Sequence, residues 1–174
     1  VSARSLLAVL AVLAVVGLLV FGLASKGGSR LEAGDAVPIA TLPQLEGAAN
    51  ESLADYRGKW VLVNFWASWC LPCRAEAPAL EEFQKQHRES GFTVVGIDTQ
   101  DLSDDAKAFV ERYGLSYPQL RDGNGDIADE YGTTGVPENF LVDPAGKVRL
   151  VAPGPVDEEY LQREVVPLLP EGAS

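Results

Sequence analysis

VLVNFWASWCLPCRAEAP, residues 61–78, is the stretch on which the fold is decided. Val61, Leu62, Val63 and Phe65 are apolar on both faces of a strand predicted over Trp60–Trp66. Two-sided burial of this kind is expected of a central strand in a parallel sheet. A short turn with two aromatics follows, and Cys70-Leu71-Pro72-Cys73 opens a helix. These are the only two cysteines in the chain of 174 residues. Two thiols with two residues between them on a helix's first turn can close or open a disulfide with little backbone movement. The unpaired N–H groups and positive dipole end of that terminus favour thiolate at the first cysteine. The pattern points to thiol–disulfide exchange, with Cys70 attacking and Cys73 resolving.

Zinc is the competing use of Cys-x-x-Cys. A structural zinc site needs four ligands, and this pair supplies two. The single histidine, His87, lies 14 residues beyond Cys73 on the same expected helix, and no second Cys-x-x-Cys is present. No metal or other cofactor is therefore expected. The helix is predicted from Cys70 to about Ser90, with Pro78 removing one backbone donor and kinking it. Along it, Cys73, Glu76, Leu80, Phe83 and His87 are spaced three, four, three and four residues apart. They form one stripe, and Leu80 and Phe83 mark it as the face toward the core. Glu76 then lies beneath the resolving cysteine among apolar neighbours. Desolvation there raises a carboxylate's pKa, and its charge raises that of a nearby thiol. The plainer alternative is a glutamate near a helix N-terminus that complements the dipole. His87, at the far end of the stripe, reads as a half-buried structural residue.

Working toward the N-terminus, Leu6 to Ala24 is a run of 19 residues with no charge and no polar side chain. At about 1.5 Å per residue it can cross the ~30 Å hydrocarbon core of a bilayer. Gly22-Leu23-Ala24 resembles a small-x-small signal-peptide cleavage site, but the run exceeds the usual ~7–15-residue apolar region of such peptides. A retained anchor over residues 1–25 is expected, followed by a Gly-rich linker over 26–36 and a folded domain over 37–174. No cysteine follows the apolar run to accept lipid. The dithiol suggests a single-pass protein of the cell membrane with its domain outside the cytoplasm, although the basic flanks do not set orientation by themselves. The formal net charge is −11, and the part from Leu31 on, with 11 basic and 25 acidic residues, carries −14. A domain this acidic is repelled by nucleic acid and anionic lipid surfaces, and no nucleic-acid partner is expected.

Toward the C-terminus, Phe92–Ile97 reads as a second buried strand. Ser103 is expected to cap a helix that runs through Tyr113 and stops at Gly114. A short strand over Tyr117–Leu120 and a short helix over Ile127–Tyr131 come next. Asn139–Val142 and Val148–Val151 flank Asp143-Pro144-Ala145-Gly146-Lys147, a hairpin signal. Asp157 starts a last helix, limited by Pro167. Ahead of the central strand, residues 38–59 read as a covering segment: a strand near Ile39–Thr41, a loop at Glu46-Gly47, and a turn of helix at Leu53–Tyr56. Asp122–Asp126 is superficially a calcium loop, but Ile127 and Thr133 stand where an EF-hand needs Gly and Glu, so it reads as a turn. Pro137 would be trans on position alone. The order β-α-β-α-β-α-β-β-α, parallel early and antiparallel late, is a thioredoxin-like α/β fold with a central mixed sheet flanked by helices, preceded here by a transmembrane helix.

From about Gly34 on, the chain resembles the membrane-anchored thioredoxin-like proteins of the TlpA, ResA and CcmG (DsbE) type. The likeness rests on VLVNFWASWCLPCRAEAPAL and on YGTTGVPENFLVDPAGKV. It implies that Pro137 is cis and faces the Cys-x-x-Cys, reversing the expectation from position. The backbone of Val136 would then offer hydrogen bonds to an incoming peptide, as in β-augmentation. It also implies a functional acid at Glu76, three residues after the second cysteine, which agrees with the stripe. Glu138 is similar to the Gly-x-Pro-Glu-x-Phe-Leu stretch of CcmG-type members. Asn64 stands where general thioredoxins place a buried Asp, and Leu-Pro replaces their Gly-Pro between the cysteines. The activity implied is reduction of disulfides in apocytochrome c, with a transmembrane thiol donor restoring the dithiol and Trp69, Val136, Pro137 and Glu138 forming the substrate site. Oxidation of folding proteins uses the same residues in reverse. A peroxiredoxin-type peroxidase would want Pro and Thr or Ser where Val63 and Ala67 stand. A binding domain with an inert disulfide is the non-enzymatic alternative.

Overall fold

The computed structural model describes residues 12–19 and 30–170. Residues 12–19 are helical and exposed (α1). The remainder of the expected anchor, its Gly22-Leu23-Ala24 site and residues 26–29 of the expected linker lie outside the described residues. Among the described residues no helix is long and apolar enough to cross a membrane.

The elements that follow are β1 (Thr41–Pro43), β2 (Asn50–Ser52), a 3-10 turn (Leu53–Tyr56), β3 (Trp60–Trp66), α2 (Leu71–His87), β4 (Phe92–Thr99) and α3 (Ser103–Tyr113). They continue with β5 (Gln119–Asp122), α4 (Asp126–Tyr131), β6 (Glu138–Val142), β7 (Val148–Pro153) and α5 (Glu158–Tyr160). The main sheet has the order β5-β4-β3-β6-β7. β4 is parallel to β3 and to β5, whereas β6 is antiparallel to both β3 and β7. This is the thioredoxin-like α/β architecture with a mixed central sheet. Side chains alternate across β3 with the period of two that a pleated strand imposes. Leu62 and Trp66 join the core that holds Leu80 and Phe83 of α2 and Phe109 of α3. Val61, Val63 and Phe65 join the opposite core with Ile127 and Tyr131 of α4. Both faces of the strand are buried, as its unbroken apolar run required. Leu80 is almost fully buried on the inner face of α2. Leu80→Ala should lower the unfolding free energy by about 2–5 kcal/mol in urea titrations; a loss under ~1 kcal/mol would contradict this packing.

Several boundaries depart from the sequence expectations for identifiable reasons. β5 begins at Gln119 rather than Tyr117, since Pro118 has no N–H to give a ladder and only its carbonyl bonds, to the Gly96 amide at 2.9 Å. Ser103 is the first helical residue of α3 and not its cap; that place belongs to Leu102, with no side-chain bond. α2 ends at His87 and passes into a 3-10 turn over Arg88–Ser90. β2 was not anticipated; it pairs with β1 and leads into the 3-10 turn, whose start is closed by a reciprocal Ser52/Asp55 box. Asp157 caps α5 as expected, accepting the Tyr160 amide at 2.8 Å, and the chain then continues through a π turn and a 3-10 turn that contains Pro167. From Arg30 on, the expected linker is docked on the domain. Leu31 donates to the Tyr131 carbonyl, and Gly34 and Asp35 exchange backbone bonds with Val148.

Candidate active site

The C-terminal end of β3 delivers the turn Ala67–Trp69 and then the tip of α2. Cys70 is the N-cap of α2, so its sulfur takes the place of the Ser or Thr oxygen usual there and accepts the Cys73 backbone N–H at 3.1 Å. Pro72 sits in the first turn, where its missing N–H costs no helical bond. Cys70 and Cys73 are joined in a disulfide with their Cα atoms 5.3 Å apart. Opposite lies the loop before β6, with a cis bond between Val136 and Pro137, as the family likeness implied and contrary to the expectation from position. The Cys70 sulfur is 3.5 Å from the Val136 carbonyl oxygen. In the disulfide Cys70 is only 3 % exposed, while the neighbouring Trp69 is 57 % exposed. Leu71 and Leu102 are also exposed, which gives the site an apolar rim.

Glu76 is buried one turn along α2, on the stripe read from the sequence. Its Oε1 accepts the Asn64 side-chain amide at 2.7 Å. Its Oε2 accepts the Asn139 amide at 3.2 Å and the Val156 backbone N–H at 3.1 Å. Asn64 also donates to Asn139 Oδ1 at 2.9 Å, so the three side chains form a closed network beneath the disulfide. Burial pushes the Glu76 carboxyl up to about 7, against the opposing pull of the donors from Asn64, Val156 and Asn139. A group poised there can take or give a proton near neutral pH. Asn139 escaped the sequence reading; being the one polar residue of the otherwise apolar Asn139–Val142 stretch was its only mark.

Glu138 is buried and pairs with Arg30, while also accepting the Thr134 backbone N–H at 3.1 Å. His87 is fully rather than half buried, with its ring 4.2 Å from that of Phe83. The Asp122 carboxylate serves as a cap for α4, accepting the amides of Ile127 and Ala128 at 3.3 and 3.0 Å, in keeping with a turn.

A strand-borne turn that sets a Cys-x-x-Cys disulfide on a helix tip, facing a proline loop across a thioredoxin-like sheet, defines a thiol–disulfide oxidoreductase. Comparison with known proteins narrows this class. Residues 33–151 match the AhpC/TSA family. The chain is 33 % identical over 141 residues to thiol-disulfide oxidoreductase ResA of Bacillus thuringiensis subsp. konkukian, covering 81 % of each protein. It is 37 % identical over 139 residues to thiol:disulfide interchange protein HelX of Rhodobacter capsulatus, covering 79 % of this chain and 77 % of that one. Among solved structures, a putative thiol:disulfide interchange protein DsbE from Chlorobium tepidum superposes with a TM-score of 0.75 at 33 % identity, over 81 % of this chain and 100 % of that one. The chain thus belongs to the AhpC/TSA family, and within it to the thioredoxin-like proteins of TlpA, ResA and CcmG type.

Proposed function

We propose that the chain is a membrane-anchored, extracytoplasmic reductase of protein disulfides, with apocytochrome c as its client and a transmembrane thiol donor as its source of electrons. The observation that carries this reading is the buried Glu76, held under the Cys70–Cys73 pair by Asn64 and Asn139. In the reduced enzyme the Cys70 thiolate attacks one sulfur of the substrate disulfide. A new S–S bond forms and the other substrate sulfur leaves as thiolate. Cys73 gives its proton to Glu76 and attacks the Cys70 sulfur; the mixed disulfide breaks and the second substrate sulfur leaves as thiolate. Cys70 and Cys73 are then oxidised, and the substrate, reduced by two electrons, takes up one proton from Glu76 and one from water to become a dithiol. Trp69, Val136 and Pro137 contact the substrate segment, with the Val136 backbone as a bonding edge. Glu138 holds that loop from behind. Residues 1–25 serve as the anchor through 6–24, and residues 26–36 link it to the domain of 37–174, with Arg30, Leu31, Gly34 and Asp35 of that linker already bonded to the domain.

The peroxidase alternative finds no support at the positions it needs. Val63 lies inside β3, paired with Val95 and Phe140, and Ala67 is fully buried. Neither carries a hydroxyl to place beside a peroxide.

The experiment is a redox titration of the dithiol, paired with reduction of an oxidised Cys-x-x-Cys-His peptide and with membrane fractionation. A potential near the roughly −270 mV of thioredoxin, with rapid peptide reduction, is the expected result. A value near the roughly −120 mV of DsbA, with no peptide reduction, would overturn the reductase reading. The chain should sediment with membranes and resist salt washing; a soluble mature form beginning at Ser25 would overturn the anchor.

A further inference from the structure

A second polar cluster grips the turn that carries Cys70. Ser68, two residues before the cysteine, has each of its polar groups bonded. Its backbone N–H and its hydroxyl both donate to the carboxylate of Asp101, the latter at 3.0 Å. Its carbonyl accepts two N–H groups of Arg74, at 3.1 and 2.8 Å, from the residue that follows Cys73. Trp69 adds a bond from its indole N–H to the Gln100 carbonyl at 3.3 Å.

The loop that presents Asp101 is itself held. Arg121 donates through one nitrogen to the Asp101 carbonyl at 2.6 Å and through another to the Asp98 carboxylate at 2.6 Å. Gln100, between the two aspartates, has φ +50°, a left-handed conformation that a non-glycine residue adopts at a cost. Asp98 is fully buried, and among the described residues its Oδ1 has no hydrogen-bond partner. Burial and the charge of Asp101 push the Asp98 carboxyl up to about 7 in spite of Arg121. Two acids, a guanidinium and a left-handed Gln100 are a poor recipe for stability, since buried charges of this kind seldom repay their desolvation. What they do is fix one backbone unit next to the reacting sulfur.

We infer that Asp101 is a positioning residue for disulfide exchange: through Ser68 it fixes the Trp69–Cys70 turn against the tip of α2, so that the Cys70 sulfur meets an incoming disulfide in one orientation. This rests on Cys70 being the attacking sulfur, as proposed above. A clamp that orders the approach acts on the transition state, and so slows forward and reverse exchange alike when lost, while leaving the redox equilibrium where it was.

The test uses the detergent-solubilised chain and its Asp101→Ala, Asp101→Asn, Ser68→Ala and Ser68→Ala/Asp101→Ala forms. A small aromatic disulfide is the probe, because any thiolate at Cys70 reduces it whatever the biological client. Asp101→Ala should slow both directions by roughly tenfold, since misplacement of a reacting group costs at least that much. Asp101→Asn, which keeps one acceptor, should lose about threefold, and the glutathione equilibrium should stay within about twofold throughout. In the double variant the effects should fall well short of multiplying, because both changes break the same contact. Unchanged rates, multiplying effects or a shifted equilibrium would each overturn the inference. Should Asp101→Ala not fold, Asp101→Asn and Ser68→Ala carry the same comparison. Failure of the reductase reading would show differently, as a parent chain that reduces the probe but not the haem-site peptide.

Discussion

Cys73→Ala should leave Cys70 covalently joined to its substrate and lower turnover by at least about 100-fold. Cys70 stands at the helix tip, where its sulfur accepts the Cys73 amide, and is flanked by the exposed Trp69 and Leu71. Cys73 lies one turn further into α2, and in the disulfide both residues are almost wholly buried, so it is the place at the helix tip that sets Cys70 apart. The outer sulfur therefore meets the substrate, and the inner one is placed to expel it by attacking back along the helix axis. With the inner sulfur gone, only an external thiol can release the complex. A peptide disulfide added to the reduced variant should give one adduct, seen by mass spectrometry and lost on adding dithiothreitol. Cys70→Ala should give none; an adduct through Cys73 in that reciprocal variant would reverse the assignment of the two roles.

Glu76→Gln should change the pH dependence of both stability and rate. The Glu76 carboxyl is raised from 4.5 to about 7 in the folded chain, chiefly by burial. Between those values the native state keeps a proton that the unfolded chain has released. Stability supplied by this group is thus complete below pH ~4.5, declines as pH rises, and is gone above ~7. At about 1.4 kcal/mol per unit, the loss amounts to roughly 3 kcal/mol. Glutamine has no such proton, so urea titrations of the oxidised chain should show the variant gaining about 3 kcal/mol on the parent across that window. Asp98 also titrates near 7, but it is common to both proteins and cancels. Release of substrate from the mixed disulfide should slow by about 100-fold in the variant, as loss of a general base implies. Parallel stability curves, or equal release rates, would remove Glu76 from the proton path.

The elements that could be read from the sequence were those whose pattern is local. The run Val61–Phe65 declared a two-sided strand, and the Cys73, Glu76, Leu80, Phe83 stripe declared the buried face of α2 together with its carboxylate. What stayed hidden depends on partners far along the chain. Asn139 matters because it meets Glu76, 63 residues away. Asp101 sits in an acidic loop that would ordinarily be solvated, until the sheet brings it to Ser68, 33 residues earlier. The isomer at Pro137 is set by the loop's surroundings, so position alone pointed the wrong way and only the family likeness corrected it. Ser103 carried the right side chain for a cap one residue too late, because the backbone had already turned helical at that position.

The contact between Arg30 and Glu138 bears on where the domain would sit on the proposed anchor. Glu138 opens β6 directly after Pro137 and pairs with Phe65 at the sulfur-bearing end of β3. Arg30 comes six residues after Ala24, the last of the apolar run. Six residues span at most about 20 Å when fully extended. With the proposed anchor in place, the redox end of the molecule would be leashed to the headgroup layer instead of roaming at the end of a long stalk. On that proposal clients would approach from the side, and the proposed thiol donor in the bilayer would need little reach to recharge the sulfurs.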